Sequence, residues 1–422
     1  MSFEQDPHVA SRAEGFTLVR RRGCVRLVLS SHSYFPAVGG VERLIQGLAE
    51  GAAQHGIDTF VVTRQDPGTL RREELHGVTI VRIPMVRVGG FHVPRDYLST
   101  LRDLRPDVLH LSGNRVWSAD FYLPFAGTFG WAQVMTGHGF YQYEMHRRPW
   151  DTWYFENYLP GRIRHFEVYA ASIEHERTQL VNWGVAPGRI ELVPDGIALE
   201  EFNEPRSDPA VVRARWGLKS AHFAFYAGGF YENKRVDRLV RAVAATGGTW
   251  GLVATGRDLP DSPCSRERVS RLAAEARAPA VFRDVVPRSE FLDSISAADV
   301  VVLGSSYEGF GLFLLEAMAM GRPFVAYRTG AVPELAAQGA GFCVDSEPQF
   351  LEALRRLEDP GLRAQMGARG REVVRDYSIE KVVGRYLAVY ERAIAAHKDR
   401  AGEGHPGSGL GKAGPLERGS GP

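Results

Sequence analysis

A chain of 422 residues has room for two domains at ~100–200 residues each. Its 51 Lys plus Arg against 50 Asp plus Glu leave a formal charge of +1, which excludes the basic excess of a general nucleic-acid binder. No apolar run reaches the ~18 residues of a membrane span, residues 1–24 lack the apolar stretch of a signal peptide, and the three cysteines are too scattered for a disulfide framework. A cytoplasmic location is therefore expected.

From Val25 onward, short β-branched runs alternate with helical stretches. Residues 25–30 read as a strand, 31–38 as a loop and 41–56 as a helix. Val41, Leu44, Ile45, Leu48, Ala49 and Ala52 recur at helical spacing, and Gly56 supplies the stop. Further strands are expected at 59–62, 78–83, 108–111, 134–136, 168–171 and 190–193. Several are apolar throughout, as in parallel strands covered on both faces. A linker with a short helix is expected over 200–220. The second series has strands at 223–227, 250–254, 281–282, 300–303 and 324–326, the last closing it. Helices at 236–245, 266–276, 290–298 and 312–320 lie between them. The whole is an α/β chain with two successive doubly wound halves, which predicts a ligand cleft between them. The last 22 residues hold eight Gly and three Pro and read as a disordered tail over 401–422.

Four segments carry chemistry. In Glu308-Gly-Phe-Gly-Leu-Phe-Leu-Leu-Glu316, a buried strand runs through an acidic, glycine-rich turn into an apolar helix. A carboxylate at Glu316 among so many apolar neighbours needs hydrogen-bond donors, which the hydroxyls of a sugar or ribose would supply. Gly309 and Gly311 clear space where helix N–H groups meet a ligand. In Tyr226-Ala-Gly-Gly-Phe-Tyr-Glu-Asn-Lys-Arg-Val236, Lys234 and Arg235 precede a helix. Cations there oppose the helix dipole unless an anion such as a diphosphate is held, the alternative being a solvated basic turn. Phe35-Pro-Ala-Val-Gly-Gly-Val-Glu-Arg43 also joins strand to helix through a glycine pair, Gly39 and Gly40. It is neither the dinucleotide fingerprint nor a Walker loop. His138 stands just beyond a buried strand, either touching a ligand or serving the core. No His-Glu-x-x-His pair, no carboxylate cluster with metal spacing and no Gly-x-Ser-x-Gly elbow occurs.

Taken in order, these segments resemble the retaining glycosyltransferases of family 4, which have the GT-B fold of two Rossmann-like domains facing across a cleft. The resemblance runs from about Val25 to about His397. Its most specific part is the two-glutamate pattern of Glu308 and Glu316, followed by Ala-Met-Ala-x-Gly321-x-Pro323 and, further on, Gly330-Ala-Val-Pro-Glu334. Ser305 precedes it, and Val193-Pro-Asp-Gly-Ile197 is similar to the family's linker opening, with Asp195 in place of Asn. Gly39, Gly40 and His138 fall where the family has its glycine loop and active-site histidine.

The resemblance implies an amino-terminal acceptor domain over 25–198 plus 378–400, behind an extension of 1–24. It also implies a nucleotide-sugar domain over 199–377, with a helix from Ile379 crossing back to the first domain. By the same resemblance, the reaction moves a hexosyl group from a UDP- or GDP-linked sugar to a hydroxyl acceptor, with retention and without a metal or other cofactor. Glu316 would hold the ribose, and Glu308 the donor sugar beside the N–H groups of Phe310, Gly311 and Leu312. Lys234 would neutralise the diphosphate, and His138 would contact the sugar near its anomeric carbon. The family's usual phosphate-binding Arg is Gly229 here. Arg235, or Arg257 in the loop after Gly256, is expected to restore that charge.

The acceptor, whether glycan, lipid-linked sugar or small molecule, leaves no readable mark. Residues 141–164, rich in Tyr, Trp and Arg, suit an acceptor groove, contact with the inner membrane face, or a packed helix with a solvated side. Two other classes remain open: another GT-B enzyme such as a sugar-nucleotide epimerase, and a sugar-nucleotide-binding relative with weakened catalysis.

Overall fold

The computed structural model describes residues 19–403 apart from 21, 22, 38, 90, 115, 141–147 and 205. The first sheet contains β1 (Arg26–Ser30), β2 (Asp58–Arg64), β3 (Arg72–Leu75), β4 (Val78–Ile83), β5 (Val108–Ser112), β6 (Ala132–Thr136), β7 (Val168–Ala171) and β8 (Ile190–Leu192). Their order is β8-β7-β6-β5-β1-β2-β4-β3. All neighbours are parallel except the β3–β4 pair. The second sheet is wholly parallel, with β9 (His222–Ala227), β10 (Trp250–Thr255), β11 (Ala280–Arg283), β12 (Val300–Leu303), β13 (Phe324–Tyr327) and β14 (Gly341–Val344) in the order β11-β10-β9-β12-β13-β14. Both sheets are doubly wound, and the chain is an α/β protein of two Rossmann-like layers with GT-B architecture.

Five helices position the site: α1 (Gly40–Gln54), α2 (Val236–Ala244), α3 (Arg288–Ala297), α4 (Leu312–Ala319) and α5 (Ile379–Glu403). In α1 the residues Leu44, Ile45, Leu48, Ala49 and Ala52 are buried as their spacing requires. Val41 belongs to the same stripe by spacing yet is 38% exposed, because the first turn of α1 projects into the cleft. Helix α5 runs back across the first sheet and buries Val382, Val383, Tyr386, Leu387, Val389 and Tyr390 in that sheet's core. Each such apolar side chain contributes ~1.5–3 kcal/mol before the entropy of ordering is subtracted. Gly47 and Gly51 let α1 and α5 approach closely, since a Cβ at either would lie 2.5 Å from Ile379 or Val383. The two chain crossings between the halves run side by side. The Ile197 N–H donates to the Tyr377 carbonyl at 3.0 Å, and the Ile379 N–H to Ile197 at 2.9 Å.

Several elements differ from the sequence expectations. The second series does not close at β13, because β14 adds a sixth strand. Strand β3 and an antiparallel hairpin of Met85–Val88 with Phe91–Pro94 were also unanticipated. Helix α5 continues to Glu403, past the expected start of the tail at 401; residues 404–422 and most of 1–24 lie outside the described residues. So do residues 141–147 of the aromatic stretch, whose remainder forms a helical segment from Pro149 with Trp150 and Trp153 exposed. Among the described residues, no helix is long and apolar enough to cross a membrane.

Candidate active site

The cleft holds a cavity of about 330 Å³. Gly40, Val41, His138 and Asp195 line it from the first half, and Tyr226, Ala227, Lys234, Leu303 and the run from Glu308 to Phe313 from the second. Ala227 and Leu303 end the neighbouring strands β9 and β12, where the strand order of the second sheet reverses. Crevices at such switch points are the usual ligand sites of open α/β sheets. Helices α1 and α4 start facing one another across this space. A Cβ at Gly40 would stand 3.1 Å from Leu312 Cδ1. Two helix N-termini therefore converge on the cavity, each with unsatisfied N–H groups and roughly +0.5 charge.

Lys234 Nζ donates to both Glu308 carboxylate oxygens at 2.8 Å. The Ser305 hydroxyl adds a 2.6 Å bond to Glu308 Oε1, and the Glu308 N–H donates to Thr329 Oγ1 at 2.9 Å. The loop is buttressed further by the Ala331 N–H on the Phe310 carbonyl at 3.0 Å, which gives the Gly330–Glu334 motif a structural task. Thus Lys234, Glu308, Phe310, Gly311, Leu312, Gly40 and His138 come together around one cavity.

Glu316 lies one turn further along α4 and is 9% exposed. Burial pushes its carboxyl up, against the pull of nearby arginines. Protein donors, rather than a ligand alone, meet its need for partners. Arg288 Nη1 donates to Oε1 at 2.7 Å, and Arg43 Nη1 from α1 stands 3.6 Å from the same oxygen. Arg288 also bonds Glu201 at 2.6 Å. A cation at the first position of α3 opposes that helix dipole, so the two carboxylates account for its place.

The remaining residues expected at the site do not line the cavity. Arg235, with φ +47°, turns its guanidinium onto Asp237 through two 2.9 Å bonds, and that pairing holds the Asp237 carboxyl down at about 2 against the opposing effect of burial. Arg257 is exposed on the loop after Gly256. Gly229 holds the Tyr226 hydroxyl through its carbonyl at 2.9 Å, Gly256 packs against Gly228, and Gly39 caps α1 just outside the cavity wall.

On the opposite wall, His138 Nε2 pairs with the Ser112 hydroxyl at 2.8 Å, and Nδ1 is buried without a partner among the described residues. Burial pushes this imidazole down to about 4. Asp195, outside the expected site, also lines the cavity. Its carboxylate accepts from Ser172 Oγ at 3.1 Å, and burial pushes it up to about 7. Arg43, Arg288 and Asp195 were not singled out as site residues. The departure from Asn at Asp195 was the one sequence signal available. Among the described residues, no group of three or more His, Cys, Asp or Glu is gathered as for a metal ion.

Residues 38–201 match the family model described as Glycosyltransferase Family 4, and residues 221–359 match Glycosyl transferases group 1. The chain belongs to glycosyltransferase family 4. A D-inositol 3-phosphate glycosyltransferase of Kineococcus radiotolerans is 32% identical to this family 4 chain over 263 residues, 55% of this chain and 58% of that protein. The match thus spans little more than half the length of that relative. A GDP-mannose-dependent alpha-(1-6)-phosphatidylinositol dimannoside mannosyltransferase of Mycobacterium tuberculosis is 25% identical over 349 residues, 78% of this chain and 86% of that one. Among solved structures, sucrose-phosphate synthase from Thermosynechococcus elongatus superposes with a TM-score of 0.74 at 23% identity, covering 88% of this chain and 100% of that one. That likeness concerns the GT-B fold.

Proposed function

We propose that this chain is a retaining hexosyltransferase. It takes a hexosyl group from a UDP- or GDP-linked sugar and passes it, without a metal, to a hydroxyl of a glycan, lipid-linked or small-molecule acceptor. The observation that carries this reading is the Lys234–Glu308 pair, 2.8 Å apart, set between two converging helix N-termini in the cleft. Helix N–H groups and a lysine suit a diphosphate, and a carboxylate beside them suits sugar hydroxyls.

In this reading the bond from the anomeric carbon to the diphosphate breaks as the acceptor oxygen adds on the same face, and the acceptor hydroxyl's proton passes to the departing diphosphate oxygen. Lys234 and the N–H groups at the start of α4 stabilise the charge that develops on the leaving diphosphate. Glu308, held in one orientation by Lys234 and Ser305, accepts hydrogen bonds from the hexose. His138, neutral at physiological pH, offers its unpaired Nδ1 to the sugar from the other wall. Glu316 accepts from the ribose hydroxyls. The mannosyltransferase relative, named for GDP-mannose, supports the nucleotide-sugar class.

The test is titration of the protein with a panel of UDP-, GDP- and dTDP-sugars, followed by NMR of the product anomer formed with the donor that binds. Binding of one donor and a product of unchanged anomeric configuration are expected. Failure of every donor to bind would overturn the reading, and an inverted product would overturn retention.

A further inference from the structure

The cavity as built is short of positive charge for the ligand proposed above. Among the described residues, Lys234 is the single cation in its lining, and both Glu308 oxygens already engage it. Asp195 adds acidic character, and His138 stays neutral near pH 7. A nucleoside diphosphate brings more than one negative charge into this partly desolvated space, and buried charge needs a partner.

The neighbouring arginines differ in their availability. Arg235 is held by two bonds of 2.9 Å to Asp237. Arg288 is held by Glu316 at 2.7 Å and by Glu201 at 2.6 Å. Arg257 is exposed outside the lining. Arg43 is different. Its nearest carboxylate oxygen is 3.6 Å away, beyond hydrogen-bond length, and its side chain is 41% exposed.

Its position is also suitable. Arg43 lies three residues after Gly40 on α1, and Glu316 lies four residues after Leu312 on α4. Gly40 and Leu312 are the residues at which the two helices meet beside the cavity. The Arg43–Glu316 contact therefore sits one turn behind the point where both N-termini face the ligand. Side chains on a helix lean toward its N-terminus, and one turn is ~5.4 Å, within the sweep of an arginine.

Resting on the donor assignment made above, we propose that Arg43 supplies the second cation of the diphosphate site from the opposite half of the molecule. Ribose hydroxyls take its place at Glu316 as the donor enters, and the guanidinium swings to the diphosphate. Glu316 keeps Arg288 throughout, so this exchange strands no buried carboxylate. The site is then complete only when both halves face the same ligand, which ties donor binding to cleft geometry.

The experiment measures, by calorimetry, the affinity of wild type, Arg43→Ala and Arg43→Lys for a nucleoside diphosphate and for its parent nucleoside, using the base the donor panel identifies. A lost charge-assisted contact corresponds to ~10–100-fold. Arg43→Ala is expected to weaken the diphosphate by about that factor and to leave the nucleoside within about threefold, with Arg43→Lys recovering most of the loss. Circular dichroism checks that each variant is folded, and Arg43→Gln, which removes the charge but keeps much of the side-chain length, carries the comparison if the alanine variant is not. An unchanged or tightened diphosphate affinity in Arg43→Ala, or an equal loss for diphosphate and nucleoside, would overturn the role of Arg43 alone. A wild-type protein that binds no nucleotide of any base would overturn the donor assignment and this proposal with it.

Discussion

His138 Nε2 lies 2.8 Å from the Ser112 hydroxyl, and burial of the ring holds it neutral down to about pH 4. In the unfolded chain a histidine takes up its proton near pH 6.5. Between those values the unfolded state binds more protons, so this residue costs stability as pH falls through the window and costs nothing above it. The imidazole of His138 should therefore show no NMR titration between about pH 5.5 and 8. His138→Gln should lose less stability than wild type on acidification across the same range. A ring titrating near its ordinary value would contradict the buried, neutral assignment.

Asp195 behaves in the opposite sense. Its folded value of about 7 lies above the ordinary 3.8, so its stabilising influence is complete at low pH and fades as pH rises toward 7. Asn would keep an acceptor for Ser172 Oγ while removing the buried charge. Thermal melts of Asp195→Asn and wild type should coincide near pH 4 and separate toward pH 8, with the variant the more stable. Equal separation at both pH values would mean that the carboxylate is solvated.

Lys234 and Glu308 form a pair whose halves have different tasks in the proposed reaction. Lys234→Ala removes the cation that meets leaving-group charge, and a loss of ~10²–10³ in kcat is expected. Glu308→Ala should cut turnover by a similar factor. Glu316→Ala should act mainly on donor affinity, because it sits a turn away from the transferred sugar. Steady-state kinetics with separate kcat and KM values distinguish these patterns, and unchanged constants for all three variants would refute the assigned roles.

Gly256 has φ +155°, and a Cβ there would overlap the Gly228 carbonyl oxygen. Gly256→Ala must displace the loop between β9 and α2 that carries Lys234. A loss of at least ~2 kcal/mol in denaturant unfolding, with weakened donor binding, is expected. A variant as stable as wild type would show that the loop gives way without cost.

Most strands of both sheets were legible because parallel strands buried on both faces are continuous apolar runs, as in β12 and β13. The ones that escaped are edge or near-edge elements. Strand β3 reads Arg-Glu-Glu-Leu and pairs along one side only, so its backbone hydrogen bonds, rather than apolar pattern, define it. Strand β14 is a four-residue run containing Gly341, too short to separate from a turn by composition. At the site, Glu308, Glu316 and Lys234 were readable because local motifs set their spacing, with Glu308 and Lys234 beside helix starts and Glu316 one turn into α4. Arg43 and Arg288 were not, since neither belongs to a charged pattern around its own position.

The sequence by itself determined the family, the two α/β halves and the chemical character of the glycine-rich turns, because periodicity and motif spacing are local properties of the chain. Only the tertiary structure decided which cations serve which carboxylates. Arg235, adjacent to Lys234, is bound to Asp237 and turned from the cavity, while Arg43, 273 residues from Glu316, stands 3.6 Å from its carboxylate. The physical reason is that an ion pair depends on where helix starts meet in space. Here that meeting point is set by two sheets packed across a cleft and by α5, which ties the end of the chain back to its first half.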